Sequence, residues 1–384
     1  MSEEKRIPKL RFPEFTDDWE QRKLSDLGEI VTGSTPSTSH PEYYSEDGIP
    51  WVTPSDINSN TIGDTPRKLS KLGESVVRIV PEETILVTCI ASIGKNTLLL
   101  KKGSFNQQIN GLIPNKEIVA PYFLLTESSI WSEEMKRSAA AATMQIVNKK
   151  DFSNIKTYVP CKQEQEKIGQ FFQKLDNLIT LHQRKLETTQ KLKQGFLQKL
   201  FPQKGKKIPE LRFPEFTGDW EQRKLVDVVD SIDTGKSKFN KEGSSGEYPI
   251  LGSTSVIGYD DEYDYEGDFI LTARVGANAG SLYRHAGKVK ISDNTVFIRS
   301  SQNIDFIYHL LTRFDIKKLS FGTGQPLVKA SELKKLELMM PIDFNEQIKI
   351  GSFFLNLDNL ITLHQRKLEI YQNIKKGLLQ QMFV

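Results

Sequence analysis

The strongest pattern along the chain is an alternation of apolar residues at steps of three and four, and it occurs twice. The two runs cover residues 163–201 and 345–384, and both contain the string LDNLITLHQRKLE. Such steps place apolar side chains in one stripe of an α-helix, which is typical of helices that pair as a coiled coil. The sequence therefore predicts two long helices that are each other's partner. Their matching seam residues are Leu175, Ile179, His182, Leu186, Leu357, Ile361, His364 and Leu368.

A second repeat precedes each of the regions between the helices. The string IPKLRFPEFTDDWEQRKL occupies residues 7–24, and residues 208–225 repeat it with two changes. We call each copy an arm. The arms and helices are almost identical while the regions between them differ widely, which indicates one shared task at the ends and separate tasks in the middle. The predicted organisation is residues 1–162 and 208–344 as two regions with their arms, 163–201 and 345–384 as helices, and 202–207 as a linker.

Both variable regions show short β-branched runs that alternate with helical spacing. Residues 85–90 and Ile49–Val52 predict strands in the first region, and 269–272 and Tyr248–Leu251 are their counterparts in the second. Residues 121–137 have the spacing of a helix. The predicted fold is therefore mixed α/β (α+β), with two similar domains. Two local predictions are a short helix over 20–27 and a capping box at the start of the second long helix, formed by Asp343 and Glu346.

Composition narrows the picture only a little. The 384 residues include 52 Lys and Arg and 49 Asp and Glu, which gives a net charge of +3. This charge by itself favours no polyanionic partner. Cys89 and Cys161 are far apart and lack metal-ligand spacing, which favours a reducing compartment. No apolar run has membrane-spanning length, and the polar start MSEEKRIPK lacks a signal region. We therefore expect a cytoplasmic protein.

Catalytic motifs are missing from the sequence. It contains no GxxxxGK[ST] phosphate loop, no GxGxxG motif and no Asn-Pro-Pro-aromatic string. None of the five histidines forms an HxxxH or HExxH pair, so we expect no metal site. The sequence thus predicts a protein that is not an enzyme and that binds no cofactor itself.

Side chains that read DNA bases are, in contrast, frequent in the loops of both variable regions. Arg and Lys can bind guanine through two hydrogen bonds, and Asn and Gln can bind adenine in the same way. Each such residue by itself is typical of an ordinary protein surface. The candidates are Ser34, Thr35, Ser37, Lys95, Asn106, Gln107, Gln108 and Gln145 in the first region, and Lys236, Lys238, Asn240, Arg274, Asn278, Arg284 and Gln325 in the second.

The order of arm, variable region and helix, present twice, resembles the specificity (S) subunit of Type I restriction-modification enzymes over nearly the whole chain. The resemblance is carried by RFPEF…WEQRKL, TGSTP…IPWVTPSDI, FNQQING and EQEKIGQFFQKLDNLI. It implies two target recognition domains, each reading half of a bipartite double-stranded DNA target, and an antiparallel coiled coil as spacer. It also implies two methyltransferase subunits that carry S-adenosylmethionine, and motor-nuclease subunits further out. The TGSTP of the first half becomes TGKSK in the second, so base-reading positions do not transfer between halves.

An alternative of another class is a two-domain coiled-coil scaffold that binds proteins and no DNA. A self-sufficient nuclease or methylase does not agree with the missing motifs. Binding to labelled random duplex with the cognate methyltransferase present distinguishes the first two readings.

The two seam histidines give a further prediction about the helix pair. His182 and His364 occupy equivalent positions near the middle of their helices. In an antiparallel pair, equivalent residues can meet only near the two-fold axis, so we predict that these imidazoles approach each other at a pseudo-two-fold axis. The alternative is that each imidazole points its polar edge to solvent beside the seam.

Overall fold

The computed structural model describes residues 7–140, 146–238, 245–319 and 326–384, except the side chains of Ser138 and Ala140. The chain divides into two compact units. Unit 1 combines the chain through Gln183 with Arg366–Val384, and unit 2 is the continuous stretch Arg184–Gln365. Each long helix therefore contributes one part to unit 1 and another to unit 2, a division that the sequence pattern did not reveal.

Unit 1 contains the first variable region. Its elements are β1 Glu20–Lys23, α1 Leu24–Leu27, β2 Gly28–Thr32, β3 Tyr44–Ser45, β4 Ile49–Val52, β5 Thr61–Ile62, β6 Lys68–Leu69, α2 Lys71–Ser75, β7 Ile85–Thr88, β8 Asn96–Leu99, β9 Ser104–Phe105, β10 Ile109–Pro114, α3 Pro121–Ala140, α4 Lys149–Asn154 and β11 Lys156–Val159. The strands form a five-stranded sheet in the order β2-β10-β7-β8-β5, a four-stranded sheet β3-β6-β4-β9 and the pair β1-β11.

The long helix α5, Lys162–Lys199, connects this region to the second arm, and α8, Phe344–Met382, follows the second variable region. Between them lie β12 Glu221–Lys224, β13 Ser231–Thr234, β14 Tyr248–Leu251, β15 Val256–Asp260, β16 Tyr265–Ala273, β17 Leu282–Ile291, β18 Thr295–Arg299, α6 Ile304–Phe314, α7 Ala330–Lys334 and β19 Glu337–Met340. The main sheet of unit 2 has the order β13-β18-β16-β17-β14-β15, and β12 pairs with β19. The predicted mixed α/β fold with two similar domains and two long helices is confirmed.

Helices α5 and α8 run antiparallel within each unit. In unit 1, the Asp176 carboxylate lies 2.6 Å from the Lys375 ammonium, and the rings of His182 and Tyr371 are 5.5 Å apart. In unit 2, Lys193 forms an ion pair with Asp358, and the rings of Phe196 and Phe353 are 4.9 Å apart. In both units the partner's number falls as the number along α5 rises, which defines the antiparallel direction.

The seam residues lie where the heptads place them. Leu175, His182 and Leu186 are buried, and Ile179 and the four seam residues of α8 are half-buried. His182 belongs to unit 1 and packs on Tyr371, while His364 belongs to unit 2. The approach of the two imidazoles to each other stays a prediction.

The core of each unit is closed by the end of a helix that comes from the other half of the repeat. In unit 1, Phe383 after the end of α8 packs with Trp19, Phe123 and Phe172, at ring distances of 5.6–5.8 Å. In unit 2, Phe201 after the end of α5 packs in the same way with Trp220, Phe306 and Phe354, at 5.8–6.1 Å.

Each arm is anchored to the start of a long helix by the same ion pair. The Arg11 guanidinium donates two hydrogen bonds of 2.7 Å to the carboxylate of Glu164, whose side chain is fully buried. Arg212 and Glu346 repeat this geometry in unit 2, again at 2.7 Å. Paired charges and planar, bidentate geometry make such a contact strong and specific in orientation. The near identity of the arms therefore has a structural reason.

Two local predictions were wrong. The short helix predicted over 20–27 is present only at Leu24–Leu27. Residues 20–23 form strand β1 instead, because their backbone pairs with β11, with Glu20 opposite Val159. The Asp343 side chain accepts from the Asn345 amide at 2.8 Å, but the Glu346 carboxylate binds Arg212 and does not cap the helix. In both cases a tertiary contact prevails over the local preference.

Candidate nucleic-acid interface

In unit 1, two loops meet at one end of the five-stranded sheet, one directly after β2 and the other directly before β10. We call the strand ends and loops at this place the sheet edge. The Ser34 amide donates to the carbonyl of Phe105 at 2.8 Å. The Thr35 hydroxyl donates to the side-chain oxygen of Gln107. A Cβ at Gly33 would lie 2.2 Å from the carbonyl oxygen of Asn106, so only glycine permits this approach. The geometry thus brings together candidates that are about 70 residues apart in the sequence.

Lys95 and Gln108 extend this group into a polar cleft of about 830 Å³. The Asn106 side chain donates to Gln108 Oε1 at 3.1 Å and accepts from the Gln108 amide at 3.1 Å, so these two amides are held in fixed orientation. Lys95 is exposed, with its backbone amide bound to Thr88 Oγ1. The cleft is lined by Thr53, Pro54, Ser55, Asp56, Pro66, Arg67, Ile90, Ala91, Ser92, Lys95 and Gln108.

Sequence reasoning missed Arg67 and Asp56 in this cleft. The Arg67 guanidinium lies 5.6 Å from the centre of the Tyr44 ring, and Asp56 accepts from the amide and hydroxyl of Thr53. The quoted string TPSDI contains Asp56, and the Pro54 turn predicts a loop there. No local signal joins that loop to Lys95, because the contact depends on how β4 and β7 lie in the fold.

Unit 2 uses the same edge of its sheet with different side chains. A Cβ at Gly235 would lie 2.3 Å from the carbonyl oxygens of Ile291 and Ser292, which repeats the constraint on Gly33. The Thr32–Asn110 pair of β2 and β10 has its counterpart in Thr234 and Val296 of β13 and β18.

Lys236 and Lys238 follow this glycine and are exposed. Arg274, exposed at the end of β16, donates from Nη1 to the Asp293 carbonyl at 3.5 Å, and the Ser237 carbonyl accepts from the Asp293 amide at 3.1 Å. These three candidates therefore lie around the 292–294 turn.

Other candidates lie apart from the two groups. Exposed Ser37 bonds to Ser39 at 2.6 Å between hydroxyl oxygens, and Asn278 is exposed in the loop after β16. The Arg284 guanidinium forms an ion pair with Asp305 on α6, which satisfies it within the fold. Gln145, Asn240 and Gln325 lie outside the described residues.

Nothing in the described part of the chain forms a metal site, since no group of three or more His, Cys, Asp or Glu residues has suitable geometry there. Burial raises the pKa of the Cys89 thiol to about 11, so this cysteine is not a reactive thiolate. No described helix is long and apolar enough to cross a membrane.

The helices carry a second apolar stripe that is exposed. Its residues stand one position before a seam residue or before Lys193, Tyr371 and Lys375, which continue the heptads of the seam. They are Leu178, Leu181, Ile370 and Ile374 in unit 1 and Leu192, Leu360 and Leu363 in unit 2, all 38–54% exposed. In an antiparallel pair, the same flanking position on both helices lies on the same side of the seam. Each unit therefore presents an apolar strip made by both helices.

Two repeated α/β units with matching loop edges, each containing part of both long helices, define a two-domain protein built on an internal repeat. The chain belongs to the family of the Type I restriction modification DNA specificity domain, whose model matches residues 16–191 and 217–372. The resemblance seen in the sequence is thereby confirmed. The family consists of specificity subunits and not of enzymes, in agreement with the prediction from the sequence.

Individual proteins similar to the chain agree with this assignment. The Type I restriction enzyme MjaVIII specificity subunit of Methanocaldococcus jannaschii is 26% identical over 96% of this chain and 92% of its own length. The Type I restriction enzyme EcoprrI specificity subunit of Escherichia coli is 23% identical over 88% of this chain and 87% of its own length. The crystal structure of the S subunit of a Type I system from M. genitalium has the same fold, with a TM-score of 0.74 at 17% identity over 98% of this chain and 99% of its own.

Proposed function

We propose that the chain is the sequence-specific DNA-recognition and assembly subunit of a Type I restriction-modification complex. Each variable region reads one half of a bipartite target in double-stranded DNA, and the helices space the regions and dock two methyltransferase subunits. Those subunits carry S-adenosylmethionine, and motor-nuclease subunits complete the assembly. The observation that carries the proposal is the matching sheet edge. Gly33 and Gly235 are equivalent there, and the polar side chains next to them differ between the two units.

The chemistry of the two edges supports two different half-sites. The unit 1 edge presents the amides of Gln107 and Gln108 near Lys95, and amides suit adenine. The unit 2 edge presents Lys236, Lys238 and Arg274, which suit guanine and phosphate oxygens. A scaffold that only binds proteins does not explain why the two units share one backbone arrangement at the sheet edge but differ in its polar side chains.

The first prediction tests this modularity. Replacing residues 226–344 with the corresponding region of another family member should change one half of the methylated motif and leave the other half unaltered. The measurement is genome-wide mapping of N6-methyladenine in cells that contain the chain and its partner subunits. The reciprocal replacement of residues 25–161 is the control and should change the other half. A change in both halves from either exchange would contradict separate reading by the two units.

Partner docking is supported by what lies on the helix surface. The residues that are identical in both copies but lie off the seam are Asn177, Thr180, Gln183, Arg184, Lys185 and Glu187, and all of them are exposed, as are their counterparts in α8. A coiled coil needs only its seam to stay apolar, so surface identity calls for a common external partner. The exposed apolar strips supply the area that such a partner would bury.

The second prediction concerns stoichiometry. Leu181→Glu with Ile374→Glu in unit 1 should remove one methyltransferase subunit from the assembly, because each new carboxylate would have to be desolvated at the interface. Leu192→Glu with Leu363→Glu should do the same in unit 2, and all four together should abolish assembly. Native mass spectrometry gives the count. Gln190→Glu adds one such charge on the other side of the seam and should leave two subunits bound, whereas a wild-type assembly with one methyltransferase would refute the proposal.

A further inference from the structure

A cleft of about 880 Å³ lies in unit 2, and none of the candidate base-reading residues lines it. The linker forms one wall, and the end of α6 and strand β19 form the others. Its lining residues are Phe201, Pro202, Gln203, Lys204, Gly205, Lys206, Lys207, Gln222, Leu310, Arg313, Phe314, Lys318, Glu337, Leu338 and Met339. From the sequence alone, we expect the linker only to connect its neighbouring elements.

The charge of the lining is strongly one-sided. Five of its side chains are basic, and one, Glu337, is a carboxylate that already accepts from the Gln222 amide at 2.5 Å. Lys207 is 3.6 Å from Asp219, and Lys318 is 3.9 Å from Asp315. Both pairs are exposed and therefore weak. The cleft thus keeps a positive potential that an anion would neutralise.

Arg313 adds an independent feature that favours an anion. Its Nε atom is buried and has no hydrogen-bond partner among the described residues. A buried donor without an acceptor is unfavourable, so an anionic oxygen that reaches it would stabilise the site.

The cleft is close to the candidate base-reading loops of the same unit. A Cβ placed on Gly280, in the loop that carries Asn278, would lie 2.7 Å from the backbone nitrogen of Lys317. Lys317 is the neighbour of Lys318 in the 3₁₀ turn Ile316–Leu319. That turn therefore connects the loop 274–281, which begins at Arg274 of the edge group and carries Asn278, with the wall of the cleft.

In the described part of unit 1, two of the basic positions of the cleft are apolar. Phe123 and Phe306 are equivalent, since each packs edge-on against the tryptophan of its own arm. Counted from these rings, the positions of Arg313 and Lys318 are taken in unit 1 by Ile130 and Met135. Among the described residues, the basic side chains at the end of α6 and in the turn after it are therefore found in unit 2 alone.

We propose that this cleft binds phosphate groups of the duplex next to the half-site that unit 2 reads. The inference rests on the proposed DNA-recognition function and adds a sequence-independent anchor to it. Lysines are flexible point charges that suit phosphates, and such contacts position a protein on DNA without reading bases. The proximity of the edge loops favours duplex DNA over an acidic protein segment as the occupant.

The test is the salt dependence of DNA binding by the assembled complex of this chain with its methyltransferase partners. Each phosphate contact contributes about 0.9 to the slope of log K against log salt concentration. Lys204→Ala with Lys318→Ala should therefore lower the slope by about 1–2 and weaken binding to cognate and random duplex alike. Arg313→Met should add to the loss, and the methylated motif should not change. The control is Lys101→Ala with Lys335→Ala, two exposed lysines outside the cleft.

Four outcomes distinguish the phosphate anchor from its alternatives. A lowered slope in the cleft variants alone supports the anchor. A slope equal to that of the control overturns it, and so does loss of a methyltransferase subunit from the variants, which would assign the cleft to a protein partner. Failure of the wild-type complex to distinguish its methylated motif from random duplex would instead refute the DNA-recognition function itself.

Discussion

Replacing Phe383 with alanine is expected to destabilise unit 1 by about 3–5 kcal/mol. The ring stacks on Phe123 and contacts Trp19 and Phe172, and it is 7% exposed. Removal of a buried aromatic ring loses its transfer free energy and leaves a cavity. A loss of this size is a large fraction of the stability of a typical domain, about 5–15 kcal/mol. Hydrogen exchange followed by mass spectrometry should show faster exchange in β1, α3 and β11.

The repeat offers a matched variant in the other unit. Phe201→Ala removes the equivalent ring and should accelerate exchange in β12, α6 and β19 while unit 1 stays protected. If Phe383→Ala loosened segments of unit 2 as strongly as those of unit 1, the assignment of the final helix segment to unit 1 would be wrong.

The stability of unit 1 is expected to fall as the pH rises from about 5 to about 8, because of Glu127. Desolvation by burial raises the pKa of this carboxyl to about 8, although hydrogen bonds from the Thr157 side chain and the Tyr158 amide oppose the shift. Between the usual pKa of about 4.5 and about 8, the folded chain holds a proton that the unfolded chain has released. The free energy of unfolding therefore decreases with pH, by about 3–5 kcal/mol across that range.

Glu127→Gln should remove this pH dependence and stabilise unit 1 at pH 8. Urea unfolding in a Trp220→Phe background isolates the signal, because Trp19, Trp51 and Trp131 all lie in unit 1. Glu133→Gln, on the exposed face of the same helix, is the control and should keep the wild-type profile. Leu310 occupies the position of Glu127 in unit 2, so the repeat itself shows that an apolar residue fits this place. A wild-type midpoint that did not change between pH 5 and 8 would contradict the prediction.

The helices and the repeated frame were predictable because their signal is periodic and local. Heptads over 163–201 and 345–384 indicate helices, and the structure has them at Lys162–Lys199 and Phe344–Met382. The strand Ile49–Val52 has the predicted bounds, since β-branched and aromatic residues occupy an interior strand. Strand β1 was missed because its four residues are all exposed and polar, and only the pairing with β11 makes them extended.

The candidate site was predictable only in part. Gly33 and Gly235 mark the loop edges, and polar residues follow them in the sequence. Arg67 and the basic cleft depend on contacts between distant segments, and no periodicity reports such contacts. Arg284 has the right chemistry for guanine, but its guanidinium already forms an ion pair with Asp305, 21 positions away in the sequence. A list of residue types cannot show that a side chain is already bound.

The discontinuity of unit 1 has a consequence for protein synthesis. The residues through Gln183 leave the ribosome first, yet their core lacks Phe383 until Arg366–Val384 has been made. Unit 2 is continuous and can close as soon as Gln365 has emerged. At about 5–20 residues per second, the first part of the chain waits roughly 10–40 s for its last segment. Unit 2 is therefore complete before unit 1, and during that interval the apolar face around Trp19 and Phe172 lacks the ring that covers it.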